Sequence, residues 1–122
     1  MSKVILTVDD SRTIRQMLKL ALGDAGHTVI QAEDGVDGVE ALQKADNVDV
    51  IITDINMPRM DGFGLIDQVR RDPRNRAIPI LVLTTESDAA KKQRAREAGA
   101  TGWIVKPFDA GKLIAAIRRV AP

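Results

Sequence analysis

Five side chains of this sequence belong to types that metal and phosphoryl chemistry uses, and each stands where a short apolar run ends. Asp9 and Asp10 follow Val4–Val8, Asp54 follows Val48–Thr53, Thr84 ends Ile78–Thr84, and Lys106 follows Thr101–Val105. Carboxylates brought together repel, and a shared proton or a cation must relieve this. Oxygen ligands with no histidine or cysteine among them suit a hard cation. Mg²⁺ takes one or two carboxylates, keeps several waters and accepts a phosphate oxygen. A carboxylate can also be a nucleophile and form an aspartyl phosphate. Phosphoryl transfer needs mainly positioning and neutralisation of the equatorial oxygens. Mg²⁺, the Lys106 ammonium and the Thr84 hydroxyl would supply those contacts.

Taken singly, each residue has an ordinary explanation. Asp9 and Asp10 ahead of Ser11 could complement a helix dipole. Asp54 ahead of Met57 and Pro58 could be a turn residue. Thr84 could simply end a strand, and Lys106 could be a solvated loop lysine. Their conjunction points to a site, and it requires elements that bring all five to one place.

The apolar runs Val4–Val8, Val48–Thr53 and Ile78–Thr84 are nearly continuous, as in strands buried on both faces. His27–Ala32 is more mixed, as an edge strand would be, and Thr101–Val105 is a shorter fifth run. Helical patterns lie between them. Ile14, Met17, Leu18, Ala21 and Leu22 form one stripe, with Ser11 as N-cap and Gly26 as stop. Val36, Val39 and Leu42 form a second. Phe63, Ile66 and Val69 follow Asp61, and Pro73 closes that segment. Leu113, Ala116, Ile117 and Val120 form the last stripe after Asp109. The helix around Asp88–Ala98 has only Ala89, Ala90, Ala95 and Ala98 as its apolar face. Alanine favours helix but buries little area, so this helix should be held less firmly than its siblings. Five strands alternating with five helices predict an α/β fold, a doubly wound parallel sheet covered on both faces. The flavodoxin-like strand order 2-1-3-4-5 is adopted from known sheets of this kind. Ligands of such sheets bind beyond the carboxyl ends of the strands, where the strand order reverses.

The 122 residues fit one domain, expected to span residues 1–122. The absence of cysteine excludes disulfides, thiol nucleophiles and cysteine zinc sites. A net charge of +1 argues against a polyanion binder, and 2% aromatic residues leave little to stack on nucleic-acid bases. The N-terminal apolar run is too short for a signal peptide and ends in two carboxylates. No stretch approaches the ~20 apolar residues of a membrane span. A cytoplasmic protein without membrane or nucleic-acid partner is expected.

The run Val8-Asp9-Asp10-Ser11, the segment Asp54-Ile55-Asn56-Met57-Pro58 with Asp61-Gly62 after it, Leu83-Thr84-Thr85 and Lys106-Pro107-Phe108 closely resemble the receiver domains of two-component signalling. The resemblance covers essentially the whole chain, and its overall pattern is closest to the single-domain chemotaxis (CheY-like) type. It implies that Asp54 is the phospho-acceptor. It further implies that Asp10 ligates Mg²⁺ directly with Asp9 supporting it, and that the Asn56 backbone carbonyl completes the metal site. Lys106 would pair with the phosphoryl group, Pro107 would follow a cis peptide bond, and Thr84 would move to a phosphoryl oxygen. Trp103 occupies the place of an aromatic residue that changes rotamer with the threonine. A tryptophan there departs from the usual smaller aromatic or histidine. Asn56 and Glu86 would tune dephosphorylation. His27 is read as structural.

The resemblance also implies a sensor histidine kinase as phosphodonor, a protein target such as the flagellar motor switch, a phosphatase as further partner, and a monomeric state. Its partner-reading surface, made by the fourth helix, fifth strand and fifth helix, would carry Lys91, Lys92, Arg94, Arg96, Trp103, Lys112, Arg118 and Arg119. No output domain is expected after Pro122, and output is expected by protein contact. Such a receiver can instead be a phosphate sink, a relay shuttle or an adaptor. Two other classes fit less well. A Mg²⁺-dependent aspartyl phosphatase would carry an acid/base Asp at position 56, where Asn56 cannot shuttle a proton. A flavin or nucleotide binder would need a glycine-rich cradle, which the loop Asp9-Asp10-Ser11 does not provide.

Overall fold

The computed structural model describes residues 2–122. Its elements alternate throughout: β1 (Val4–Val8), α1 (Arg12–Asp24), β2 (Thr28–Ala32), α2 (Gly35–Lys44), β3 (Val50–Thr53), α3 (Gly62–Arg71), β4 (Ile80–Thr84), α4 (Ala89–Ala98), β5 (Gly102–Val105) and α5 (Ala110–Val120). All strand pairs are parallel, in the order β2-β1-β3-β4-β5. The sheet is the doubly wound one expected. β3 and β4 begin two residues later than their apolar runs, and β2 and β5 one residue later. Asp49 still joins β1 ahead of β3, its N–H donating to the Val4 carbonyl at 2.8 Å and its side chain accepting the Val4 N–H at 2.7 Å. Pro79 has no N–H to give a ladder, although its carbonyl accepts from Ile51 at 2.9 Å.

Side-chain alternation divides the core into two layers. Leu6, Val8, Ile51, Ile80 and Val82 face α2, α3 and α4, where Leu42, Leu65, Ile66, Val69 and Ala95 meet them. Ile5, Val50, Ile52, Leu81 and Leu83 face α1 and α5, through Leu18, Leu22, Leu113 and Ile117. β1, β3 and β4 are thus apolar on both sides because both sides are covered. α1 differs from the expected stripe: Leu18 and Leu22 are buried, but Met17 is 45% exposed. The side-chain oxygens of Ser11, Asp61 and Asp109 cap α1, α3 and α5. His27 sits at the foot of β2, away from the carboxyl ends of the strands, and its Nδ1 accepts the Lys3 N–H at 3.1 Å. No helix of the described residues is long and apolar enough to cross a membrane.

α4 buries Ala95 alone, whereas α3 buries Phe63, Leu65, Ile66 and Val69. A leucine or isoleucine contributes about 2 kcal/mol on burial and a single methyl under about 1 kcal/mol. The expected consequence is that backbone amides of α4 exchange with solvent ahead of those in the other four helices. Protection of α4 equal to that of α3 in hydrogen exchange would overturn this account.

Candidate functional site

Strand register brings the chemistry together. Val8 pairs with Thr53 across β1 and β3, so the next residues, Asp9 and Asp54, emerge side by side at the carboxyl edge. Thr84 pairs with Val105, so Lys106 emerges next to it, and the Lys106 N–H donates to the Thr84 carbonyl at 2.8 Å. The chain runs from β1 to one side of the sheet and returns to the other for β3. The crevice between these strands is therefore where the strand order reverses.

In that crevice Lys106 Nζ donates to Asp9 Oδ2 and to Asp54 Oδ2, both at 2.8 Å. Asp9 is buried, and its Oδ1 accepts the Ser11 N–H at 2.9 Å, so both its oxygens are occupied. Asp54 is nearly buried, and its Oδ1 accepts the Ile55 N–H at 2.6 Å. Asp10 is exposed, and one oxygen each from Asp9, Asp10 and Asp54 lie within 4.8 Å of one another. Burial pushes the Asp9 carboxyl above its ordinary 3.8, more than its bonds to Lys106 and Ser11 pull it down. Burial also works against the Lys106 ammonium, but its bonds to Asp54 and Asp9 prevail and hold it above 10.5. An all-oxygen donor set with one lysine already compensating part of its charge fits a hard divalent cation such as Mg²⁺. Asp9, Asp10 and Asp54 are the carboxylates that could hold it, Asp10 being the exposed one.

Thr84 is fully buried, and its Oγ1 accepts the Glu86 N–H at 3.2 Å. The Glu86 carbonyl in turn accepts from Trp103 Nε1 at 3.2 Å. A two-bond path thus runs from Thr84 through the Glu86 backbone to Trp103, a path the sequence gives no sign of. Lys106–Pro107 is cis, an isomer that only a proline makes cheap. Asn56 lies exposed in the loop after Asp54, and Glu86 pairs with Lys91 at 3.1 Å.

The basic surface is regrouped. Lys92, Arg96 and Trp103 line one shallow pocket between α4 and β5, and Lys112 and Arg119 are exposed on α5. Arg94 does not join them. Its guanidinium lies 3.9 Å over the Phe63 ring on α3, where a cation can stack on an aromatic face. Arg118 lines a separate groove with Lys3 and His27.

Sequence reasoning passed over two further residues. Arg59, in the loop between Asp54 and α3, makes a two-pronged ion pair with Asp34 at 2.7 and 3.1 Å. Asp34 is buried and caps α2 by accepting the Asp37 N–H at 2.9 Å. The Arg59 guanidinium holds its carboxyl below the usual carboxylate range. An Asp three residues ahead of another polar residue at a helix start was a legible cap, but nothing local tied it to Arg59.

Comparison with known proteins agrees with this geometry. The profile of the response regulator receiver domain matches residues 5–118. The chain is 44% identical over 105 residues to the chemotaxis protein CheY1 of Helicobacter pylori, covering 85% of each chain. It is 32% identical over 117 residues, 95% of its own length, to 15% of the sensor histidine kinase CheAY of the same organism. The structure of the chemotaxis response regulator CheY4 of Vibrio cholerae superposes with a TM-score of 0.91 at 46% identity, over 98% of this chain and 99% of that one. With its sheet order, its crevice and a family profile spanning nearly its whole length in accord, the chain belongs to the response regulator receiver domain family and is a CheY-like signalling switch of the phosphorelay type.

Proposed function

We propose that residues 1–122 work as one stand-alone response regulator in chemotaxis, with Asp54 accepting a phosphoryl group from a sensor histidine kinase. The observation that supports this most is Lys106 bridging Asp9 and Asp54 at 2.8 Å beside the exposed Asp10. When bound, Mg²⁺ neutralises the phosphoryl oxygens and screens the carboxylates from the anionic donor. Asp10, Asp54 and the Asn56 backbone carbonyl would hold it, and Asp9 would support the set while keeping Lys106 in place. An Asp54 oxygen bonds to phosphorus as the bond from phosphorus to the kinase imidazole breaks, and the imidazole leaves with the electron pair. Lys106 then moves from the Asp54 carboxylate to a phosphoryl oxygen, and Thr84 Oγ1 donates to another. In the return step a water attacks phosphorus and Asp54 leaves as carboxylate, with Asn56 and Glu86 setting water access. The protein thus transfers and hydrolyses only its own phosphoryl group.

Thr84 rotating towards the phosphoryl group removes the acceptor of the Glu86 N–H, which frees the β4–α4 loop and the Trp103 ring bonded to it. The weakly anchored α4 follows, and the surface of Lys92, Arg96, Trp103, Lys112 and Arg119 changes its affinity for a protein target. Positive charge there suits an acidic segment of that target. The flagellar motor switch is the target this reading assigns, acting on a cytoplasmic monomer, with a phosphatase as a second partner. Phosphorylation acts through differential affinity for two states.

Intact-protein mass after incubation with acetyl phosphate tests the acceptor. One phosphoryl group is expected, dependent on Mg²⁺ and lost in Asp54→Asn. Labelling that survives in Asp54→Asn would move the nucleophile to Asp9 or Asp10.

A further inference from the structure

Arg59 is the one non-glycine residue with positive φ among the described residues, at 63°. A side chain in the left-handed region persists only when its surroundings impose it. Here they do so from the neighbouring loop. The Arg59 Nε and Nη2 donate to the two oxygens of Asp34, and the Gly35 N–H donates to the Met60 carbonyl at 3.0 Å. A Cβ on Gly35 would come within 2.6 Å of the Met60 backbone oxygen, so the two loops meet as closely as backbones can. Asp34 cannot follow a wandering loop, because its Oδ1 is committed to the Asp37 N–H and it is buried at the head of α2. The far side of the loop is equally fixed, since the Gly62 N–H donates to the Ile55 carbonyl at 2.9 Å. Between these two fixed points runs the stretch from Asn56 to Asp61, which has no strand or helix of its own.

We infer that the Arg59–Asp34 ion pair is a positioning device for the metal site: it imposes the left-handed turn at Arg59 and so sets where the Asn56 carbonyl points. Arg59 touches neither metal nor phosphoryl group and acts through Asn56. The inference rests on the reading of Asn56 as a metal ligand. A guanidinium is suited to this because its fork meets both carboxylate oxygens at once, which a lysine cannot do. Partners that orient a metal ligand from behind are worth roughly 10- to 100-fold in metal affinity.

The test is Mg²⁺ titration followed by calorimetry on wild type, Arg59→Gly, Arg59→Lys and Asp34→Asn, with thermal melting of each protein in the absence of metal. Arg59→Gly removes the pair and the unfavourable φ together, so it should fold normally. Asp34→Asn keeps a good cap on α2 but loses the charge of the pair and, because an amide nitrogen cannot accept, the bond from Arg59 Nε. Both should bind Mg²⁺ about tenfold more weakly, with Arg59→Lys between them and wild type, and acetyl phosphate labelling should slow in step at subsaturating metal. Wild-type Mg²⁺ affinity in both Arg59→Gly and Asp34→Asn would overturn the inference, whatever their melting temperatures. A wild type that itself neither binds Mg²⁺ nor takes up a phosphoryl group would instead overturn the reading of the site, and this inference with it.

Discussion

Replacing Lys106 by Met lowers folding stability at neutral pH by about 3 kcal/mol, the usual scale when one partner of a buried ion pair is removed. The substitution keeps the volume of the stem, so the loss is electrostatic. Asp9 and Asp54 then face one another with no cation between them, and only 9% of the Lys106 side chain was open to solvent in the first place. The loss should depend on pH in a defined direction. Asp9 is already raised above 3.8 by burial, so the folded state takes up its proton before the unfolded state does. Its charge therefore costs stability above its folded pKa, and that cost disappears as pH falls towards 3.8. Without the ammonium the Asp9 pKa rises further, so the deficit of Lys106→Met should shrink on moving from pH 7 to pH 5. Asp34 does not confuse the comparison. Its folded pKa is depressed, and its contribution is present above 3.8 and lost only below that value. Mg²⁺ should stabilise Lys106→Met more than wild type, because a bound cation then relieves a repulsion the lysine no longer relieves. Urea titrations at the two pH values, with and without Mg²⁺, measure all of this. A deficit that is equal at both pH values would mean that Lys106 contributes packing rather than charge.

Gly62→Ala should cost about 3 kcal/mol, at the upper end for one methyl forced into a packed site, and should slow phosphorylation as well. The new Cβ would collide with the Asp54 carbonyl oxygen and lie 2.9 Å from the Ile55 Cα. Both are backbone and cannot swing aside. The Asp54 carbonyl is further held by the Thr53 hydroxyl at 2.8 Å, so relief must come from lifting the first turn of α3 off the strand. That turn starts where the loop carrying Asn56 ends, which couples the strain to the site. Gly23→Ala is the reference substitution. Gly23 lies within α1 with nothing within 4 Å of an added Cβ, and Ala there should gain up to about 1 kcal/mol. Denaturation midpoints and initial rates of acetyl phosphate labelling report both effects. If Gly62→Ala is as stable as Gly23→Ala, the close approach of α3 to Asp54 is not a constraint.

The parts of this protein legible in its sequence are those governed by period and by position along one element. Continuous apolar runs marked β1, β3 and β4 because both faces of each are covered, and the residues ending those runs are the ones the crevice gathers. Ser11 was readable as a cap because a cap bonds within its own first turn, and Asp61 and Asp109 cap α3 and α5 in the same way. What escaped depends on contacts between distant segments. Leu65 is fully buried although it falls outside the stripe of Phe63, Ile66 and Val69, because α3 is covered over a wider arc than one stripe. Met17 was expected inside and is out, because α1 packs along Leu18 and Leu22 and turns its flank to solvent. Arg94 had the charge of its neighbours on α4, but the ring of Phe63 on another helix draws it away from them. The Arg59–Asp34 pair spans two loops, and no local signal joins residues so far apart.

The small anchor of α4 also bears on how such a switch can diversify. Only Ala95 of its ten residues is buried, so its outward positions can be rewritten without rebuilding the core. Asp9, Asp54, Thr84 and Lys106 have no such freedom, since each is committed to bonds at the strand ends. Duplicated copies of this gene would therefore drift apart in the partners they answer to on the exposed positions of α4 and α5, while the strand ends stay as they are.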